Sequence, residues 1–293
     1  MPPINSIIIC LLFGLASTCT LHLAKAMERH GIEIFNFKKS FKEKGKKPLI
    51  YIIGLVFNNI VVLWQILGLM FGPAAVFSSV FGIGLIILML YSHYILKEDI
   101  SKIELFGAIL IILGTTAVGF LYIIEPSVIE EVNYDRFYFL IIIIVIVFSI
   151  LLIFSFKTNI GVAFIFGAIA GSFGGIDNVL KRIGLKAGFM ELINSILSLS
   201  QEGIIFLFSL ISANLAFLIT QIGFGKKADA SKLVPMYNSF YIIMPIIFEL
   251  VIFDNVYLSI WKILAIGVII IGIFLMNLFT NPEKLIIQKI EKT

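Results

Sequence analysis

The sequence predicts an all-α polytopic membrane protein folded as two inverted repeats, and three observations carry that prediction. Only 14% of the 293 residues are charged and 60% are hydrophobic, whereas a soluble domain carries roughly 25% charge. Nine apolar runs reach the ~20 residues that a helix needs to cross a bilayer. Polar residues also recur at a fixed offset inside those runs. Asn58 and Gln65, seven residues apart, reappear as Asn214 and Gln221 156 positions later. The same offset carries Ser79 onto Pro235 and Glu98 onto Asp254. Amides are costly in hydrocarbon unless paired or facing a polar cavity, so a duplicated pair points to a built site.

Taken in order, the spans are residues 4–24, 48–71, 74–96, 105–124, 137–156, 160–180, 204–224, 236–253 and 260–280. Helices are required because backbone groups in lipid must bond within their own segment, and no alternating ten-residue barrel pattern occurs. The first run has no basic residue ahead of it and a polytopic body behind it, which predicts an uncleaved span rather than a signal peptide. It holds both cysteines, Cys10 and Cys19. At ~13 Å apart along one helix they are too distant for a disulfide. Residues 188–200 read as an interfacial or re-entrant helix, or as a tenth span.

The division that follows has a first four-span repeat at 1–124 and a linking span at 125–159. A second, inverted four-span repeat occupies 160–280, and a cytoplasmic tail 281–293. With nine spans, 17 of the 22 Lys and Arg residues fall on one side, led by the loop FNFKKSFKEKGKK at 35–47. The positive-inside rule makes that side cytoplasmic and the N-terminus external, in a cell (plasma) membrane. Gly107 and Gly114 align with Ala265 and Gly272 at an offset of 158. Small residues at that spacing favour close helix packing.

Residues 72–119, GPAAVFSSVFGIGLIILMLYSHYILKEDISKIELFGAILIILGTTAVG, run from an apolar span through Lys97-Glu98 and Ser101 to a glycine-rich span. This resembles one half of a drug/metabolite (EamA-like) transporter. The nine spans, with Ser231, Pro235 and Tyr237 in the second half and Gly171-Ser172-Phe173 ahead of Lys181 and Gly184, are similar to the NIPA-type magnesium transporter branch. Ser79 stands where a first-half proline is usual, Asp254-Asn255 replaces the second Lys-Glu, and Lys232 and Glu249 depart from the pattern. The resemblance implies secondary transport by alternating access. The cargo it implies is a small polar metabolite or a divalent cation such as magnesium.

The residues expected to meet the substrate are Asn58, Gln65, Asn214, Gln221, Tyr237 and Asn238. The two Asn should meet near midplane while the two Gln diverge toward opposite mouths; the alternative role is helix-to-helix bonding. Asp177 and Glu249 are acids within spans and the candidates for ion coupling. Asp177 has Asn178 and Lys181 nearby, and Lys25 occupies the position matching Lys181 in the first repeat. Glu98 and Asp254 are expected to cap the helices that follow them. His22 and His93 stand alone, without the clustered ligands of a metal site. No phosphate loop, HExxH or serine elbow is present, so the expectation is no enzyme and no cofactor. The net charge of +4 gives no case for nucleic acid. The expected partners are solute and lipid, with a homodimer left open. A membrane scaffold or sensor, or a lipid-handling flippase, is the alternative class.

Overall fold

A computed structural model describes residues 4–36, 40, 42–125, 132–158, 160–186, 188–253 and 258–278. It is all-helical, and among the described residues the only β-type pairing is an isolated bridge from Val132 to Phe253. Eight helices are long and apolar enough to cross a membrane, and a shorter apolar helix covers Ile260–Met276. Their sequences leave no other option in lipid, since only a helix satisfies every backbone group within one segment.

The first helix, α1 (Ile4–Gly31), runs seven residues past the expected end of the first span. Lys25 and Glu28, just beyond the expected end of that span, are therefore buried helix residues, 2% and 0% exposed. At Gly31 the next helix comes so close that a Cβ would lie 2.5 Å from the Cβ of Tyr51. That neighbour is α2 (Lys47–Phe71), with Pro48 in its first turn and Gly72 at its end. The expected third span is counted among the eight but is segmented. It comprises α3 (Ala74–Ser79), a break at Val80, α4 (Phe81–Tyr91) and a π-turn at Ser92–Leu96. The turn ends on Lys97 in the left-handed conformation.

Next, α5 (Lys102–Ile124) opens on a capping box in which Ser101 and Glu104 bond each other's backbone N–H. The linking span is α6 (Tyr134–Thr158), only 11% buried, so almost all of it faces outward. The centre is made by α7 (Val162–Gly184) and α10 (Ala230–Ile252), each 72% buried. Between them come α8 (Phe189–Leu197) and α9 (Gln201–Gly225). At nine residues α8 is too short to cross; it leans on α9 where Gly203 meets the Ser195 carbonyl. The last helix is α11 (Ile260–Leu278). Asp254, and with it the expected second cap, lies outside the described residues, as does the tail 281–293.

Small residues set the closest approaches. The α5–α11 seam places Gly107 against the Gly272 carbonyl and Gly114 against the Ala265 carbonyl, at 2.8 and 2.9 Å from where a Cβ would sit. At the centre, a Cβ on Gly171 would run into the Tyr237 carbonyl, so α10 rests directly on the backbone of α7. Gly171→Ala is therefore expected to destabilise the protein by roughly 1–3 kcal/mol. Gly267, which has nothing within 4 Å of where a Cβ would sit, should accept Ala within about 0.5 kcal/mol. Melting midpoints of the two variants in detergent check this.

Candidate functional site

The site is a polar seam inside an apolar bundle, built from two clusters of similar composition. The first starts on α7. Asp177 and Lys181, one turn apart, form an ion pair of 2.6 Å with side chains only 2% and 0% exposed. The Lys181 ammonium also donates to Gln65 Oε1 on α2 at 2.8 Å, and Gln65 Nε2 donates to the Tyr241 hydroxyl on α10 at 3.1 Å. Gln65 thus joins three helices, with both ends of its amide fixed by partners of opposite character. Tyr241 is held from behind by Phe81 of α4, stacked at 4.2 Å.

The second cluster starts on α1. Lys25 donates to Thr220 Oγ1 on α9 at 3.3 Å and lies 3.7 Å above the centre of the Tyr237 ring, a cation–π contact. One turn later Glu28 accepts a hydrogen bond of 2.5 Å from Gln221 Nε2, while Tyr51 of α2 donates to Gln221 Oε1 at 3.1 Å. Gln221 therefore joins α9 to both α1 and α2. Each cluster has one Lys, one acid, one Gln and one Tyr hydroxyl. In each, the Gln comes from a helix distant in sequence from the charges it meets.

Between the clusters lies a narrow cavity of about 50 Å³, lined by Lys25, Asn58, Gln65, Asp177 and Tyr237 with apolar groups around them. That is room for a water molecule or two. A larger solute fits only if the helices move apart.

The expected site residues distribute unevenly over this frame. Asn58, half-buried, lines the cavity. Gln65, Asp177 and Tyr237 line it too, whereas Gln221 sits in the Glu28 cluster. Asn214 does not join them. It is exposed on the outer side of α9 and bonds only the Leu210 carbonyl of its own helix, at 2.7 Å. Its face is the one that carries Gln221, but α1 and the start of α2 cover that face only near the end of α9. The expected midplane meeting of Asn58 and Asn214 is thus replaced by Ala213, Ala216 and Phe217 on the cavity side of α9. Asn238 is fully buried one position past Tyr237, with neither amide atom hydrogen-bonded.

Glu249 is remote from the cavity. It is hydrogen-bonded to Tyr122 and faces Arg182 and Lys262. Lys262 itself bonds the Glu125 carbonyl at 3.0 Å and lies 4.2 Å above the Tyr122 ring. This cluster clamps the ends of α5, α7 and α10 at one end of the bundle. At the other end Glu98 accepts from the backbone N–H groups of both Ala230 and Ser231, each at 2.9 Å. It caps α10 rather than the α5 that follows it in sequence, and Arg29 approaches it at 4.0 Å. His22 is tied within α1 to Thr18, and His93 is exposed against Tyr94. Among the described residues no three His, Cys, Asp or Glu side chains could hold a metal ion together.

Sequence reasoning missed Glu28, Tyr51, Thr220 and Tyr241. The signal for Glu28 was present. Lys25 and Lys181 share the offset that relates Gln65 to Gln221, which places Lys25, and the acid one turn beyond it, inside the bundle rather than in a loop. Nothing in the sequence distinguished the two tyrosines.

A buried ion pair broken on one side costs about 3–5 kcal/mol, because the remaining charge is stranded. Lys181→Met should therefore destabilise by roughly that amount. Adding Asp177→Asn to it should restore most of the loss; unfolding of both variants in a common detergent reads the difference. In comparisons with known proteins, the chain matches no family model, no curated protein and no solved structure.

Proposed function

We propose that this protein is a secondary transporter of the drug/metabolite type, moving a small polar solute through the central cavity by rocking two inverted four-span halves. The observation that carries the proposal is the duplicated, buried Lys–acid–Gln–Tyr cluster on either side of that cavity. Charges inside a membrane protein are costly and mark solute or ion pathways. The lysines (Lys25 and Lys181) and glutamines (Gln65 and Gln221) of the two clusters share one sequence offset, which fits a site shared between repeats.

The inverted-repeat reading draws further support from the seam of α5 and α11. Gly107 and Gly114, aligned in sequence with Ala265 and Gly272, pack against Gly272 and Ala265 respectively. An axis that exchanges the halves brings equivalent residues together in this crossed manner. In the same proposal α11 is the ninth span, the Glu98 end is cytoplasmic and the Glu249 end external, following the basic loop before α2.

The two lysines argue against magnesium as cargo. A divalent cation in the cavity would face the Lys25 ammonium, and the one acid lining it, Asp177, is already neutralised by Lys181 at 2.6 Å. A solute with an anionic or hydrogen-bond-accepting group suits the site better. The scaffold alternative predicts interhelical amide bonds with no cavity; the amide bonds are there, but so is a cavity lined by charges.

A thermal-shift screen of purified protein against carboxylates, amino acids, nucleosides and divalent cations tests the proposal. One polar solute is expected to raise the midpoint, an effect abolished in Lys25→Met, weakened in Asn58→Leu and unchanged in Asn214→Leu. The same solute should exchange across vesicles reconstituted with the wild type. A shift given only by magnesium and kept in Lys25→Met would contradict the choice of cargo.

A further inference from the structure

Glu28 differs from Asp177, the acid of the other cluster, in one respect. Asp177 holds Lys181 at 2.6 Å, but among the described residues no ammonium or guanidinium stands within 4.0 Å of the Glu28 carboxyl. Its Oε2 accepts one neutral donor, Gln221, and its buried Oε1 has no hydrogen-bond partner. Lys25, one turn earlier, is turned to Thr220 and to the face of Tyr237. Arg29, the next residue, points to Glu98. Of the helices packed around Glu28, α2 contributes Tyr51, α9 the neutral Thr220 and Gln221, and α10 Tyr237. An ionised carboxylate here would be a fully buried charge with no cation on it, which membrane interiors strongly disfavour. A protonated carboxyl removes that cost: the Oε1 hydroxyl carries the proton and the other oxygen accepts the Gln221 amide.

We propose that Glu28 is a proton-binding site of the core, holding its proton in the state described here. Release gives a carboxylate and one proton. The proton has a short exit, because a polar vestibule of about 540 Å³ lined by Arg29, His30, Glu33, Lys47 and Glu98 begins at the next residue of α1. The carboxylate left behind finds its counter-charge if the Lys25 side chain swings from Tyr237 onto it. Protonation and an anionic group in the cavity then favour each other. With Glu28 neutral, Lys25 is left without a carboxylate and is free to hold the solute's. With Glu28 ionised, Lys25 is claimed. Linkage makes this reciprocal, so low pH tightens the solute and the solute retains the proton. The coupling role rests on the transport reading; the proton site itself does not.

Difference infrared spectroscopy of the purified full-length protein, stepped upward from neutral pH, reads the proton directly. A protonated-carboxyl stretch is expected in the wild type, lost in Glu28→Gln, and kept in Asp177→Asn. In Gln221→Leu, which removes the hydrogen bond to that carboxyl, the band should persist at higher frequency; this variant decides the matter if Glu28→Gln fails to fold. A band that survives in Glu28→Gln, no band at all, or a Gln221→Leu band that does not move overturns the proposal. A band assigned to Glu28 in a protein that moves no solute leaves the proton site standing and removes the transport reading. Solute flux in Glu28→Gln with the wild type's pH dependence overturns the coupling.

Discussion

The arrangement depends on keeping four ionisable side chains, Lys25, Glu28, Asp177 and Lys181, inside a bundle whose outer surface is hydrocarbon-like. Desolvating them is unfavourable by several kcal/mol each unless every lone pair and proton is met. The two glutamines do most of the meeting. Gln65 accepts from the Lys181 ammonium and donates to Tyr241, and Gln221 donates to Glu28 and accepts from Tyr51. An amide suits this task because it offers a donor and an acceptor at opposite corners of one rigid plane. Each glutamine thereby ties helices far apart in sequence, so the polar groups that define the cavity also hold the bundle's centre.

The rest of the fold serves that centre. Glycines on α7 let α10 lie against bare backbone, which brings Tyr237 and Tyr241 into the seam. Pro245 removes the N–H that would bond the Tyr241 carbonyl, loosening α10 one turn beyond that tyrosine. The two ends are fastened differently: one by Glu98 capping α10 and by the ion pair of Lys232 with Glu104 at 3.5 Å, the other by the Glu249, Tyr122 and Lys262 cluster. Fastenings made of a few polar contacts at a helix end can be undone without disturbing the apolar packing. A protein that alternates between two openings needs that property.

Much of this was legible in the sequence, for reasons that can be stated. Helix positions follow from apolar run length, because lipid leaves the backbone no alternative. Gln65, Gln221 and Asp177 stood out because polar side chains are rare at depth. The failures share a cause. Asn214 satisfied the same rarity test yet faces outward, since burial depends on which part of a helix face a neighbour covers, and spacing along one helix carries no record of that. Glu28 was passed over because charge was read as a boundary of the membrane. Buried beside Lys25 and bonded by Gln221, it is instead part of the core. Glu98 was rightly read as a helix cap but given to the wrong helix, because a cap can come from any segment that reaches the exposed N–H groups.

Alternation between two openings is tested most directly by distances across both ends of the bundle. Spin labels at Lys102 and Gly225 report the Glu98 end, and labels at Met70 and Met190 the Glu249 end, in a protein whose Cys10 and Cys19 have been replaced. Double electron–electron resonance in lipid should give two distance populations at each end. Conditions that widen one end, whether solute or pH, should narrow the other. A single distance at both ends, unmoved by either, would contradict a rocking transporter and leave the polar seam as structural bonding alone.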